Sequence, residues 1–422
     1  MVAIGFLLLA AVVVGVVNSE RNTHEVTAPA QSEDSHSVGI DLAVVTPDGL
    51  TVTGWIRGTT PQQIVVESSD GTVVNAGVAG RRFDREAAFG ETYWAFQVAM
   101  VTSGDPSVVC ASVGPDSDCF WIGCVGKVFN KSFRRALRDE YGGQRFTAHI
   151  IDTRTGCEYD LNADMAITTA SVIKVEILGG LLLQAQRENR ELTTRERDDA
   201  EAMMQFSLNP ETGRLYGQVG GMGGMRALDD LFGATNTLHT SLFGATWSTA
   251  KDQTMVSLGV LAGSGPLNAM SIETAQDIMS GIHPAQSWGI SAGVPADYKV
   301  WNKNGFYPYT GYGWRIGSTG FVAAPGGGGY AITVMTDNNQ TQRDGLLLVE
   351  DITRHVAKHL THGPAANRSF DELRCITHQS GGTWTSLALE LGLPSSQANA
   401  VRFAAGGDGP LRGQLVCEPR IQ

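Results

Sequence analysis

At 422 residues, 42% hydrophobic and 18% charged, the chain exceeds one typical domain and has ample material for packed cores, which excludes a disordered or fibrous polypeptide. Its formal net charge of −12 argues against nucleic acid, an anionic membrane surface or a polyanionic substrate as the main partner. In chain order, residues 1–17 are uncharged and apolar and run directly into the polar NSERN. That run is short for a full membrane span, lacks a basic leader and shows no small-x-small cleavage site. We read residues 1–20 as a signal or membrane anchor that places the rest of the chain outside the cytoplasm. Residues 21–37 carry few large apolar side chains and read as a flexible linker.

From Val38 to Val128 short runs such as GLTVTGWI, QIVVESSDGTVVNAGV and YWAFQVAMV alternate apolar and polar residues, with Asp-Gly turns between them. This pattern predicts an all-β Ig-like sandwich over 38–128. Gly54, Trp55, Arg82, Asp84, Cys110 and Cys124 stand in an arrangement that resembles an actinobacterial extracellular β-domain, which implies a spacer or adhesion role and no chemistry.

Residues 129–365 change to a segregated α+β texture: a strand pair (RFTAHIIDTRTGCEYDLNAD), a helical middle, two further strands joined by PGGGG, and a closing helix (DGLLLVEDITRHVAKHLTHG). Residues 366–422 form a small disulfide-closed module. Its Gly-rich turn, TWTSLALELGL helix and LRGQLVC strand resemble a LysM-type glycan-binding repeat, carried by Trp384, Leu387, Gly413, Gln414 and Val416. The six cysteines include no metal-type CxxC pair, and an even count in an exported chain reads as structural disulfides. The expected pairs are Cys110–Cys124 and Cys375–Cys417, with Cys119–Cys157 by elimination.

Three short elements carry the chemistry. Ser171 and Lys174, three apart at the start of an apolar helix, lie on one helix face. A serine hydroxyl is a weak nucleophile until a base takes its proton, and a buried lysine with a lowered pKa can be that base. The Ser171 backbone N–H, near a helix start, can face a developing oxyanion. Ser207 and Asn209, in SLN, offer a proton relay and an amide for a substrate carbonyl. Lys303, Asn304 and Gly305, in KNG at a strand start, offer positive potential and a backbone that a substrate can approach closely.

In this order the three resemble the SxxK, SxN and K[TS]G elements of serine β-lactamases and penicillin-binding proteins, and SLN and KNG look most like the family's actinobacterial serine-hydrolase branch. The resemblance spans about 235 residues and implies a class A type domain, an antiparallel sheet flanked by helices with a helical subdomain. It implies catalytic residues Ser171, Lys174 and Ser207, and substrate contacts at Asn209, Lys303, Asn304 and Gly305. The implied reaction is hydrolysis of a β-lactam or a peptidoglycan-type peptide or amide through a Ser171 acyl-enzyme, by a protein secreted or anchored on the cell-wall side. No cofactor and no metal are expected. The alternative is a weak or inactive wall-binding protein that keeps the fold, and an esterase or amidase would share the nucleophile.

This sequence departs from the family's pattern. Class A enzymes deacylate with an omega-loop glutamate, whereas LDDLFGATNTLHTSLFGATWSTAKDQ holds none; its acids are Asp229, Asp230 and Asp252. His239 is read as a surface-loop histidine, so deacylation is expected to be slow. Leu208 replaces a polar group that organises the family's loop. His355, His359 and His362 have helical spacing, but no HExxH glutamate accompanies them, and they belong to the closing helix.

Overall fold

The computed structural model describes residues 24–27, 37–46, 49–60, 62–78, 80–82, 85, 91–102, 106–309, 311–325, 327–362, 375–379, 382–405 and 414–417. The signal or anchor segment, most of the linker, Asp84 and Gly413 lie outside these residues. Among the described residues no helix is long and apolar enough to cross a membrane. The chain divides into two compact units between Ile122 and Gly123.

The described residues of the first unit form two sheets. One antiparallel sheet has the order β1-β2-β3-β7-β6 (His24–Thr27, Val38–Thr46, Gly49–Arg57, Tyr93–Met100, Gly80–Arg81) and the other β5-β4-β8-β9 (Val73–Ala76, Ile64–Ser68, Val108–Val113, Asp116–Trp121). Alternation puts Val52, Ile56, Phe96 and Val98 of one sheet and Ile64, Val66, Val109 and Ala111 of the other into one shared core. Cys110 stands directly opposite Cys119 in the β8–β9 register, and these two form the disulfide. The expected Cys110–Cys124 and Cys119–Cys157 pairs are thus corrected: Cys124 bonds Cys157 in the second unit, while Cys375 bonds Cys417 as expected.

The second unit is built on a five-stranded antiparallel sheet, β11-β10-β16-β15-β14, with β14 (Lys299–Tyr309) at the edge beside β15 (Gly313–Ala323). β16 (Gly329–Asn339) lies between β15 and β10 (Arg145–Asp152), and β11 (Cys157–Leu161) closes the far edge. The closing helix (Gln342–Leu360) packs on the face bearing Ile316, where a side chain at Gly345 would strike the Ile316 side chain. The helix Ala250–Leu261 lies on the opposite face, its Ser257 hydroxyl 2.8 Å from that of Thr319.

The helix Lys174–Arg187 is no surface element: eleven of its fourteen residues are buried. It runs through a core of Leu181, Met203, Leu215, Phe232, Val256 and Ile278. Gly179 and Gly180 allow that approach, because a Cβ there would lie within 2.7 Å of Val260 and 2.6 Å of Leu228 respectively. The C-terminal residues add a β-α-α-β piece, Cys375–Thr377, Trp384–Glu390, Ala398–Ala404 and Leu415–Cys417. It has a small core of its own around Leu387, Leu391, Val401 and Val416.

Candidate active site

Ser171 sits in a single 3₁₀ turn, Ala170–Ile173, that leads straight into the helix Lys174–Arg187. Two features fix this turn. Thr169 donates from both its backbone N–H (2.8 Å) and its hydroxyl (3.2 Å) to the Thr246 carbonyl. Ala170 then takes a left-handed φ of 47°, a conformation costly for a residue with a Cβ. Across from it runs β14, and at Gly305 a Cβ would come within 2.7 Å of the Ser171 backbone nitrogen. Only glycine lets the edge strand pass this close to the Ser171 backbone.

Lys174, fully buried one helical turn on, donates to the Ser207 carbonyl (2.8 Å), the Ser207 hydroxyl (3.2 Å) and Asn209 Oδ1 (2.8 Å). Lys303, also fully buried, donates to the same Ser207 hydroxyl at 3.0 Å and to the Asn304 carbonyl at 2.8 Å. Ser207 is itself held at φ 61°. One hydroxyl therefore lies between two buried amines that arrive from different elements. Burial pushes the Lys303 amine down to about 7, so this lysine exchanges its proton near neutrality. The Ser171 side chain is half-buried and hydrogen-bonds to none of the described residues.

Four of the sequence-predicted side chains, Lys174, Ser207, Asn209 and Lys303, thus form one hydrogen-bonded cluster, and the Gly305 backbone passes close to the backbone of Ser171. The Asn304 side chain is not part of this cluster. Strand alternation turns it to the opposite face, where its amide donates to the carbonyls of Gln286 (2.7 Å) and Trp288 (3.2 Å). Its place is beneath the strand, with Asn302, which donates to the same two carbonyls.

The loop after the helix Gly221–Phe232 also differs from expectation. His239 is buried rather than exposed, with Nε2 lying 3.0 Å from Asp229 Oδ1 and 3.4 Å from Glu176 Oε1. Burial alone would lower its pKa, but Asp229 and Glu176 outweigh that and hold the imidazole up to about 9. Burial in turn pushes Glu176 up to about 7, against the pull of His239. Asp252 accepts from Asn236 N and the Thr237 hydroxyl, and Asp230 is exposed. Asp229 and Asp252 are thus engaged within their own region, and Asp230 faces solvent. What lies over the amine is an aromatic ring, with the Phe243 centroid 5.7 Å from Lys174 Nζ.

Glu176 and Phe243 were missed in the sequence. The signal for the first was a lone glutamate in the apolar run VEILGGLLL. Glu176, Asp229 and His239 also bring ligand-type atoms within 4.8 Å of one another, a spacing that would admit a metal ion, and ion pairing fills it here.

Residues 197–360 match the model of the beta-lactamase enzyme family. The α+β unit is β-lactamase-like. The matched stretch holds Ser207, Asn209, Lys303 and Gly305, while Ser171 and Lys174 lie just before it. Among solved structures the chain is similar to PBP-A at 18% identity, covering 54% of this chain and 95% of that one with a TM-score of 0.46. It is similar to a class A β-lactamase from Bacteroides cellulosilyticus at 16% identity, covering 56% and 97%, TM-score 0.47. A class A β-lactamase from Clostridium kluyveri stands at 18% identity, covering 54% and 98%, TM-score 0.47. No curated protein matches the chain in sequence.

Proposed function

We propose that the β-lactamase-like unit is an exported serine hydrolase that forms an acyl-enzyme on Ser171 with a β-lactam or a peptidoglycan-type peptide or amide, and releases it slowly. The observation that carries this reading is the Ser207 hydroxyl held by two buried lysines at 3.2 and 3.0 Å, beside the turn that bears Ser171. Ser171 Oγ attacks the carbonyl carbon and the C–N bond breaks. The hydroxyl proton moves to the Lys174 amine acting as base and, through Ser207, to the departing nitrogen. The Ser171 backbone N–H stabilises the oxyanion. Asn209 positions the substrate carbonyl, and Lys303 and Gly305 hold the chain along the edge strand.

Slow release follows from the absence of a glutamate in the segment 228–253. We take the first unit for an Ig-like spacer (38–128) ahead of a catalytic domain over 129–365. The C-terminal β-α-α-β piece is taken for a LysM-like wall-binding module. Three disulfides suit an oxidising compartment. A labelled penicillin should mark the wild type and leave Ser171→Ala unmarked. Equal labelling of both, or of neither across several β-lactams, would refute the penicillin-recognising form of this reading and favour the wall-binding alternative.

A further inference from the structure

The buried cluster formed by Glu176, Asp229 and His239 plays no part in the acylation chemistry, yet it ties the helix Lys174–Arg187 to the loop. Glu176 lies two positions past Lys174, on the far side of the same helix, and Asp229 lies on the helix Gly221–Phe232. His239 belongs to the segment 233–248 and reaches inward to both carboxylates. Glu176 is fully buried, and its Oε1 lies 3.4 Å from His239 Nε2, an opposite charge when the imidazole is protonated. Other ionisable groups facing the cluster are Tyr216, close enough to feel Glu176, and Asp252, close enough to feel Asp229.

Beyond His239 the same segment pairs Leu238 with Trp247 in both directions, places Phe243 over Lys174, and presents the Thr246 carbonyl to Thr169. The loop therefore has an anchored inner end and an aromatic outer end above the amine that a hydrolytic water would need.

We infer that His239 is a positioning residue, clamped between Glu176 and Asp229, that holds Phe243 as a water-excluding cover over Lys174 and so sets the lifetime of the acyl-enzyme. The inference rests on the reading that Ser171 is acylated. In hydrolysis the water oxygen bonds to the acyl carbon and the Ser171 Oγ–acyl bond breaks. One water proton passes to the Lys174 amine acting as base and from there to Oγ, so the free acid and Ser171 are regenerated. A ring over the amine obstructs the second reactant while leaving acylation, which draws on the Ser171 proton, unobstructed.

The test measures acylation and deacylation separately in the full chain, by following an intact-mass penicillin adduct through its formation and its loss after excess drug is removed. In His239→Ala and in Phe243→Ala the adduct lifetime should fall by about tenfold or more, with the acylation rate within about threefold of wild type. His239→Gln, which can still donate to Asp229, should restore most of the lifetime. The double variant His239→Ala/Phe243→Ala should lose no more than Phe243→Ala alone. Unchanged lifetime in Phe243→Ala, or multiplying effects in the double variant, would overturn the inference even if His239→Ala failed to fold. No adduct on the wild type would instead sink the Ser171 reading and take this one with it.

Discussion

Ser207 is the residue on which the site turns, because its hydroxyl takes hydrogen bonds from two buried lysines, Lys174 and Lys303. Lys303 pays for its place in charge. Burial holds it near 7, whereas an unfolded lysine titrates near 10.4, so between those values the unfolded chain binds more protons than the folded one. The folded state therefore gains stability as pH rises through that window, and gains nothing below about 7, where both states carry the proton. Measured against Lys303→Met by denaturant melts, wild type should gain on the order of 1 kcal/mol per pH unit between about 7 and 9. A flat difference across that range would mean Lys303 stays charged. The residue types at the site were legible in SxxK, SxN and KNG. Asn304 was misplaced because the three letters do not show which pleat face meets Ser171. His239 was misread because burial between two distant carboxylates is a tertiary fact that a loop sequence does not display.

At the scale of elements, the turn bearing Ser171 is gripped from two sides, by the Thr169–Thr246 bonds and by β14 at Gly305. Gly305→Val should force the edge strand away from Ser171 and slow adduct formation by about a hundredfold, since a misplacement on the order of 1 Å costs that much. Stopped-flow acylation would read it, and an unimpaired rate would show that substrate does not use this strand. The strands and the helical middle were readable from periodicity, and the closing helix from its apolar stripe. The cysteine pairs of the first half were not readable. Cys110 faces Cys119 because β8 and β9 pair in a register that sequence separation alone does not specify.

At the scale of the whole molecule, the two units have separate cores, and the C-terminal β-α-α-β piece has a third. That separation suits a chain in which one part does chemistry and others place it. If the C-terminal piece binds wall glycan, Trp384→Ala in the full chain should weaken co-sedimentation with purified peptidoglycan on the order of tenfold, as loss of an aromatic anchor does, and leave penicillin labelling intact. Unchanged sedimentation would reduce the piece to a disulfide-closed appendage.

The most direct test of the central claim is time-resolved intact mass with peptide mapping after exposure to a mixed panel of β-lactams and acyl-peptides. The account predicts a single adduct, located on Ser171, that forms and then persists after free ligand is removed. Modification at another residue, or no adduct with any member of the panel, would contradict it.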